Sequence, residues 1–211
     1  MYTAAVIVFA LAVSADGFIA GLAYGIKKIC IPFISLLVIA AASAMAVSIS
    51  MLLGQGIAAV LPSGSADKLG ALLLVIMGVF FLLKAIGDQI DHLPANEEEP
   101  LLTLKLKSLG IVIQILKEPI AADFDASGEL SNKEALFLGS ALAIDAMGAG
   151  IGIAMAGYNI LFTALTVGML KFILVNIGIE FGKRMKNGVV RNIASFVPGL
   201  SFLIIGIMEF L

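Results

Sequence analysis

The sequence predicts an all-α membrane protein in which six transmembrane helices form two inverted three-helix repeats. This prediction depends on the amount of apolar sequence and on a motif that occurs once in each half. Of the 211 residues, 61% are hydrophobic and 13% are charged, and the mean hydropathy is +1.11. An ordinary soluble domain is roughly half apolar and about a quarter charged. We therefore expect this chain to lie in a lipid bilayer, with no separate catalytic domain.

Apolar stretches long enough to cross a bilayer, about 20 residues each, alternate with charged, Pro-containing or Gly-containing breaks. The predicted spans are 2–26, 32–53, 69–86, 135–156, 160–181 and 193–210. The first span lacks a basic segment before it, so we expect it to be retained rather than cleaved as a signal peptide. The chain then divides into a first repeat (residues 1–87), a polar linker (88–133) and a second repeat (134–211).

The basic residues predict the orientation, because Lys and Arg are enriched in cytoplasmic loops. All 13 of them except Lys68 and Lys171 lie in or beside the loops that follow spans one, three and five. The sequence thus predicts a multi-pass protein of the cell membrane with both termini outside and the linker in the cytoplasm. The net charge of −2 and the scattered basic residues exclude nucleic acid as an expected partner. The oligomeric state stays open, and a homo-oligomer is compatible with the sequence.

Each half of the chain carries one aspartate inside a span. Residues 11–17 align with residues 140–146, which places Asp16 on Asp145, and Gly54 after span two matches Gly182 after span five. Three spans per repeat give the two copies opposite orientations. This is the plan of many secondary transporters, whose substrate site lies between the repeats near mid-membrane.

The two aspartates are the main candidates for a cation site. A charge at mid-bilayer costs roughly 2.5–3.5 kcal/mol on insertion scales, so both carboxylates should face the protein interior and find partners. Hard ions such as Mn²⁺ prefer carboxylate oxygens, and adjacent carboxylates without metal hold a proton because both cannot ionise easily. The alternative is that Asp16 and Asp145 are protonated or hydrogen-bonded packing residues.

Small residues and further polar residues accompany the aspartates. Of the other polar residues in the spans, Asn176 lies deep in span five and ranks next as a ligand, whereas Lys171 lies nearer the expected outer end. Small residues that would let helices approach closely recur every four positions: Gly17, Gly21 and Gly25 in one half, and Ala146, Gly150 and Ala154 in the other.

The linker ends in a twelve-residue segment, 123–134, that resembles an EF-hand calcium loop. Gly128 occupies the sixth position, where such loops turn sharply, and oxygen-bearing residues occupy the ligand positions. Ser131 and Glu134 also form the pattern of a helix capping box, which needs no metal. The expected Ca²⁺ ligands are Asp123, Asp125, Ser127, the carbonyl of Glu129, Ser131 and Glu134.

These motifs resemble those of one family over nearly the whole chain. Residues 14–18 and 144–150 resemble the repeated motif of the manganese efflux pump (MntP) family, and residues 114–134 resemble its branch of sporulation membrane proteins called YtaF. The resemblance implies a six-helix, LysE-like transporter fold. It also carries the two membrane aspartates of the family onto Asp16 and Asp145.

The expected function is export of a divalent cation, most of all Mn²⁺, by proton exchange at Asp16 and Asp145. The alternative is a non-transporting sporulation membrane protein that responds to cytoplasmic Ca²⁺ through its linker. We do not expect an enzyme, because the sequence has no phosphate-binding loop, nucleophile elbow or zinc-protease motif.

The predicted orientation has a direct test. Tags added to either terminus should be accessible from outside intact cells, because the basic loops stay in the cytoplasm. Protease protection or impermeant labelling measures this accessibility. Labelling of either terminus from the cytoplasmic side only, in protein that is still folded, would contradict the assignment.

Overall fold

The computed structural model describes residues 2–62, 65–90, 119–184, 200 and 202–207. Within these ranges the chain is helical, and the only β-type pairing is an isolated bridge between Cys30 and Glu129. A short 3₁₀ helix, Pro119–Ala122, precedes the loop 123–131, and a further helical segment covers 202–207. The long helices are α1 (Tyr2–Lys27), α2 (Phe33–Val60), α3 (Ser65–Ile90), α4 (Asn132–Met155) and α5 (Ile160–Arg184).

Several of these helices have the length and composition of membrane spans. In the described part of the chain, α1, α2 and α5 are each long and apolar enough to cross a bilayer. Helix α4 adds a fourth span if its two segments, which meet at a 49° bend, count as one, and α3 contains a shorter apolar stretch, Lys68–Leu83. Large apolar side chains cover the outside of these helices, with Leu161 and Met169 being 70% and 71% exposed. Such surfaces confirm a multi-pass, all-α membrane protein.

The ends of the helices follow from local sequence. Helix α1 ends at Lys27 because Lys28 adopts a left-handed conformation with φ of 59°, a conformation that stops helix propagation. Pro32, which lacks an N–H group, directly precedes α2. Helix α2 continues to Val60, beyond the predicted end of the span at 53, because no charge or proline interrupts the sequence before Pro62.

The helices pair across the two halves of the chain. Helix α1 packs along α5, and helix α2 packs along α4; these are the two most extensive helix contacts among the described residues. Both pairs run parallel. Along α1, Gly17 lies against Lys171 of α5 and Gly25 lies against Gly182. Along α2, Ile39 lies against Gly139 of α4 and Gly54 lies against Ile151. Helices α2 and α5 meet where Gly168 contacts Ala40 and Ala44.

Glycines make the contact between α1 and α5 unusually close. A Cβ atom at Gly21 would clash with the Val175 carbonyl oxygen, and one at Gly178 would clash with the Phe18 carbonyl oxygen. Backbones therefore touch directly, as they do where small residues line the interface of membrane helices. The predicted small-residue face of span one thus lies at a helix interface.

Parts of the sequence prediction lie outside the described residues. These are linker residues 91–118, most of predicted span six and the side chain of Asp145. The six-span inverted repeat and the division into three regions therefore stay predictions.

Replacing Gly21 with Ala should destabilise the protein by about 1–3 kcal/mol, the usual cost of overpacking. The new methyl group would meet backbone, which cannot move aside as a flexible side chain can. Gly56→Ala is the matched control, because a Cβ at Gly56 meets no atom within 4 Å, and this change should be neutral or stabilising. Thermal unfolding in detergent measures both; equal effects would contradict the close packing.

Candidate functional site

The centre of the α1–α5 interface contains an ion pair. The Lys171 Nζ atom lies 2.5 Å from Asp16 Oδ1. Lys171 is fully buried, whereas the side chain of Asp16 remains 19% exposed. The same ammonium group also donates to the Val13 carbonyl oxygen at 3.3 Å. Asp16 Oδ1 further accepts a hydrogen bond from the Gly17 N–H group at 2.7 Å.

Gly17 makes space for the aliphatic part of Lys171. A Cβ atom at Gly17 would lie 2.8 Å from Lys171 Cδ and 3.0 Å from Val175 Cγ2. The lysine can therefore cross the face of α1 and bring its charge to Asp16, one residue earlier in the chain. The glycine next to the aspartate is thus part of the ion-pair geometry.

The ion pair gives the Asp16 carboxylate an interior partner of opposite charge. We expected this carboxylate to face the interior and find a partner; the structure shows that a partner is Lys171. Removing one member of a buried pair typically costs about 3–5 kcal/mol, because the other charge is left uncompensated. Lys171 was ranked below Asn176, although a lysine in the middle of a span itself calls for an acidic partner.

Asn176 lies elsewhere on α5. Its side chain is exposed on the helix surface, and among the described residues no hydrogen bond joins it to Asp16 or Lys171. Glu180, one turn further along the same helix, forms an exposed pair with Arg184 at 2.7 Å. The described geometry therefore does not bring Asn176 to the ion pair.

Helix α4 carries Asp145 at the point where segments Asn132–Ile144 and Ala146–Met155 meet at 49°. The facing helix α2 carries two buried serines, Ser43 and Ser50. Ser50 Oγ donates to the Met147 carbonyl oxygen at 2.7 Å, whereas the buried Ser43 Oγ has no hydrogen-bond partner among the described residues. Ser50 thus makes a polar contact with α4 two residues beyond Asp145.

Three carboxylates converge in the loop before α4. One oxygen each from Asp123, Asp125 and Glu134 lie within 4.8 Å of one another. Glu134 Oε1 accepts from the Phe124 N–H group, and Oε2 accepts from both the N–H group and the hydroxyl of Ser131. The capping box predicted for Ser131 and Glu134 is therefore formed, and Glu134 also holds the beginning of the loop.

The sharp turn of this loop lies at Gly128, the sixth position of the segment. Gly128 has a φ of 78°, and the Ser127 N–H group donates to carboxylate oxygens of both Asp123 and Asp125. Hydrogen bonding from Ser127 lowers the pKa of Asp125, which favours its ionised form. The Glu129 carbonyl, an expected ligand, instead accepts from the Ser127 hydroxyl at 2.9 Å.

The loop is fixed to the end of the helix bundle. The Cys30 N–H group donates to the Gly128 carbonyl, and the Leu130 N–H group donates to the Cys30 carbonyl, both at 2.8 Å. Ser35 Oγ donates to the Leu130 carbonyl at 2.8 Å. Carboxylates gathered on a fixed backbone suit a hard cation such as Ca²⁺, which prefers oxygen ligands.

The apolar helices and the interior ion pair define a class of polytopic membrane proteins with a charged site in mid-span. A family model described as "Putative manganese efflux pump" matches residues 106–210. Over 209 residues, 99% of this chain and 100% of the relative, the sequence is 39% identical to "Probable sporulation protein YtaF" of Bacillus subtilis. The chain therefore belongs to the MntP/YtaF family, which confirms the resemblance found in the sequence.

The match to the efflux proteins is shorter. The sequence is 28% identical over 130 residues to "Putative manganese efflux pump MntP" of Clostridium perfringens, covering 61% of this chain and 59% of that protein. It is 31% identical over 98 residues to "Putative manganese efflux pump MntP 2" of Clostridium botulinum, covering 45% and 48%. No solved structure matches the chain.

Proposed function

We propose that this protein is a secondary transporter that exports a divalent cation, with Mn²⁺ as the favoured substrate. The observation that carries the proposal is the interior carboxylate of Asp16, held mid-helix in a charged contact and still 19% exposed. Intramembrane ionisable residues are rare, face the protein interior and mark ion pathways and proton relays. The names of the MntP relatives supply the choice of a divalent metal.

The helix pairing supports an inverted repeat with the site between its halves. Each first helix of a half packs on the second helix of the other, α1 on α5 and α4 on α2. Aligning Gly54 with Gly182 also places Ala40 on Gly168, and these two equivalent residues meet where α2 crosses α5. A contact between equivalent positions is what an in-plane two-fold axis through the bundle would produce.

In the proposed cycle, Asp16 and Asp145 bind the metal from the cytoplasmic side and release it outside. Carboxylate oxygens suit Mn²⁺, and protons replace the metal on the return step because two nearby carboxylates cannot both remain ionised easily. Protons that enter then balance the charge of the Mn²⁺ that leaves. Both termini lie outside in this scheme, so the linker and its carboxylate loop face the cytoplasm.

Purified protein in vesicles should couple Mn²⁺ movement to proton movement, measured with an internal pH dye. Asp145→Asn should abolish the coupled signal, because an amide keeps the size but loses the charge and the exchangeable proton. At Asp16 the double variant Asp16→Asn, Lys171→Gln should abolish the signal for the same reason. Both residues are changed because Asp16→Asn alone would leave a buried lysine without its carboxylate.

Glu180→Gln is the matched control, since Glu180 is an acidic residue of a span whose side chain is exposed. This variant should transport like the wild-type protein. Wild-type vesicles that show no flux of any divalent cation above protein-free vesicles would contradict export. That result would favour the second candidate, a non-transporting sporulation membrane protein that responds to Ca²⁺.

A calcium site in the linker loop is favoured by the convergence of Asp123, Asp125 and Glu134 within 4.8 Å. We propose that Ca²⁺ binds there, with Ser127, Ser131 and the Glu129 carbonyl completing the ligands. These three groups now make hydrogen bonds within the loop and would exchange them for the ion. The ion would act from the cytoplasmic side, either as a regulator of transport or as the signal to which a non-transporting protein responds.

Calcium should stabilise the wild-type protein by about 2.7 kcal/mol at a free concentration 100 times the dissociation constant. Asp125→Asn should abolish the shift, and this variant leaves the capping box of α4 unchanged. Glu129→Gln is the control, because only the backbone carbonyl of that residue is a proposed ligand. Thermal unfolding with and without Ca²⁺ measures both. An unchanged midpoint at millimolar Ca²⁺ would leave Glu134 with its capping role alone.

A further inference from the structure

The position that a metal ion would take beside Asp16 contains a positive charge from the protein itself. Lys171 Nζ lies 2.5 Å from Asp16 Oδ1, the oxygen that a hard divalent ion would approach to roughly 2.0–2.6 Å. This oxygen already accepts two hydrogen bonds, from the Lys171 ammonium and from the Gly17 N–H group, so a metal ion that binds it has to displace the ammonium. We propose, on the basis of the proposed function, that Lys171 is a tethered cation that competes with the transported ion for Asp16.

A second acceptor allows Lys171 to leave Asp16 without losing all contact. The ammonium donates to the Val13 carbonyl oxygen at 3.3 Å, one helical turn before Asp16. Movement toward Val13 therefore frees Oδ1 while a hydrogen bond to the buried ammonium is retained. Gly17 leaves the lysine stem room beside α1, since a side chain at that position would meet Lys171 Cδ.

The other half of the chain has no equivalent charge. Aligning Gly54 with Gly182 places Ser43 on Lys171, and both residues are fully buried. The proposed ligand set is therefore asymmetric: Asp16 has Lys171 of the second repeat at its side, and the residue of the first repeat that matches this lysine is the neutral Ser43. The two aspartates together with Lys171 carry a charge of about −1, compared with −2 for the carboxylates alone.

This asymmetry gives Lys171 a role in ion selection. A monovalent ion such as Na⁺ carries no more charge than the ammonium that it would replace, so it gains no Coulomb energy at Asp16. A divalent ion carries twice that charge and can displace the lysine. Lys171 thus sets a charge threshold that favours divalent ions over the far more abundant monovalent ones.

The test compares Lys171→Met with Lys171→Arg in full-length protein purified in detergent, using calorimetric titration with Mn²⁺. Loss of the competing charge should lower the Kd for Mn²⁺ at least about tenfold in Lys171→Met. Na⁺ should then compete with Mn²⁺ in this variant and not in the wild-type protein. Lys171→Arg keeps the charge and should retain wild-type affinity and selectivity.

Two controls isolate the contact with Asp16. Lys183→Met removes an exposed lysine of the same helix and should leave the Kd unchanged. Adding Asp16→Asn to Lys171→Met should remove the gain in affinity, because the two cations compete for that carboxylate. If Lys171→Met folds poorly, Lys171→Gln tests the same loss of charge with a side chain that can still form hydrogen bonds.

The outcomes separate this inference from the transport proposal. Transport of Mn²⁺ by the wild-type protein, with no gain in affinity in either neutral variant, would overturn the role of Lys171 and leave transport intact. The same gain in Lys171→Arg as in Lys171→Met would also overturn it, because space rather than charge would then be the cause. Metal binding only after Lys171 is removed would support occupancy by the lysine while contradicting export. Absence of binding in every folded variant would overturn both proposals.

Discussion

The need to balance the charge of Asp16 inside an apolar bundle governs much of this structure. A lone carboxylate at that depth is costly, and Lys171 provides the opposite charge at 2.5 Å from across the α1–α5 interface. The pair fixes the register of the two helices, because a shift by one residue on either would separate the charges. Helices from different halves of the chain are thereby held in one arrangement.

That register depends on how closely the helices approach. Glycines on both helices allow backbone contact at Gly21 and Gly178, which brings the axis of α5 near enough for a lysine to lie across α1. Lipid provides no hydrophobic force between spans, so van der Waals contact and polar pairs stabilise their association. The small residues therefore set the distance between α1 and α5, and the ion pair sets their alignment along the helix axes.

The sequence predicted the helical membrane fold, since long apolar runs leave few alternatives, and its motifs predicted the family. It also predicted that Asp16 must have an interior partner. The identity of that partner depends on which face of α5 meets α1, and depth along a span does not contain this information. Asn176 was ranked highly for depth, yet its side chain is exposed. The segment 123–134 fitted both a calcium loop and a helix cap; the cap is formed, and it shares Glu134 with the carboxylate cluster.

Glu134 connects the loop 123–131 to the beginning of helix α4. One oxygen of its carboxylate accepts from the Phe124 N–H group in the loop, and the other accepts from Ser131 at the first turn of α4. Because the segment Asn132–Ile144 of α4 leads directly to Asp145, where the helix bends by 49°, a displacement of the loop is transmitted along this segment to the aspartate. The loop 123–131 thus acts as the short arm of a lever on α4, and its pivot is the bridge between Cys30 and Glu129 that fixes the loop to the bundle.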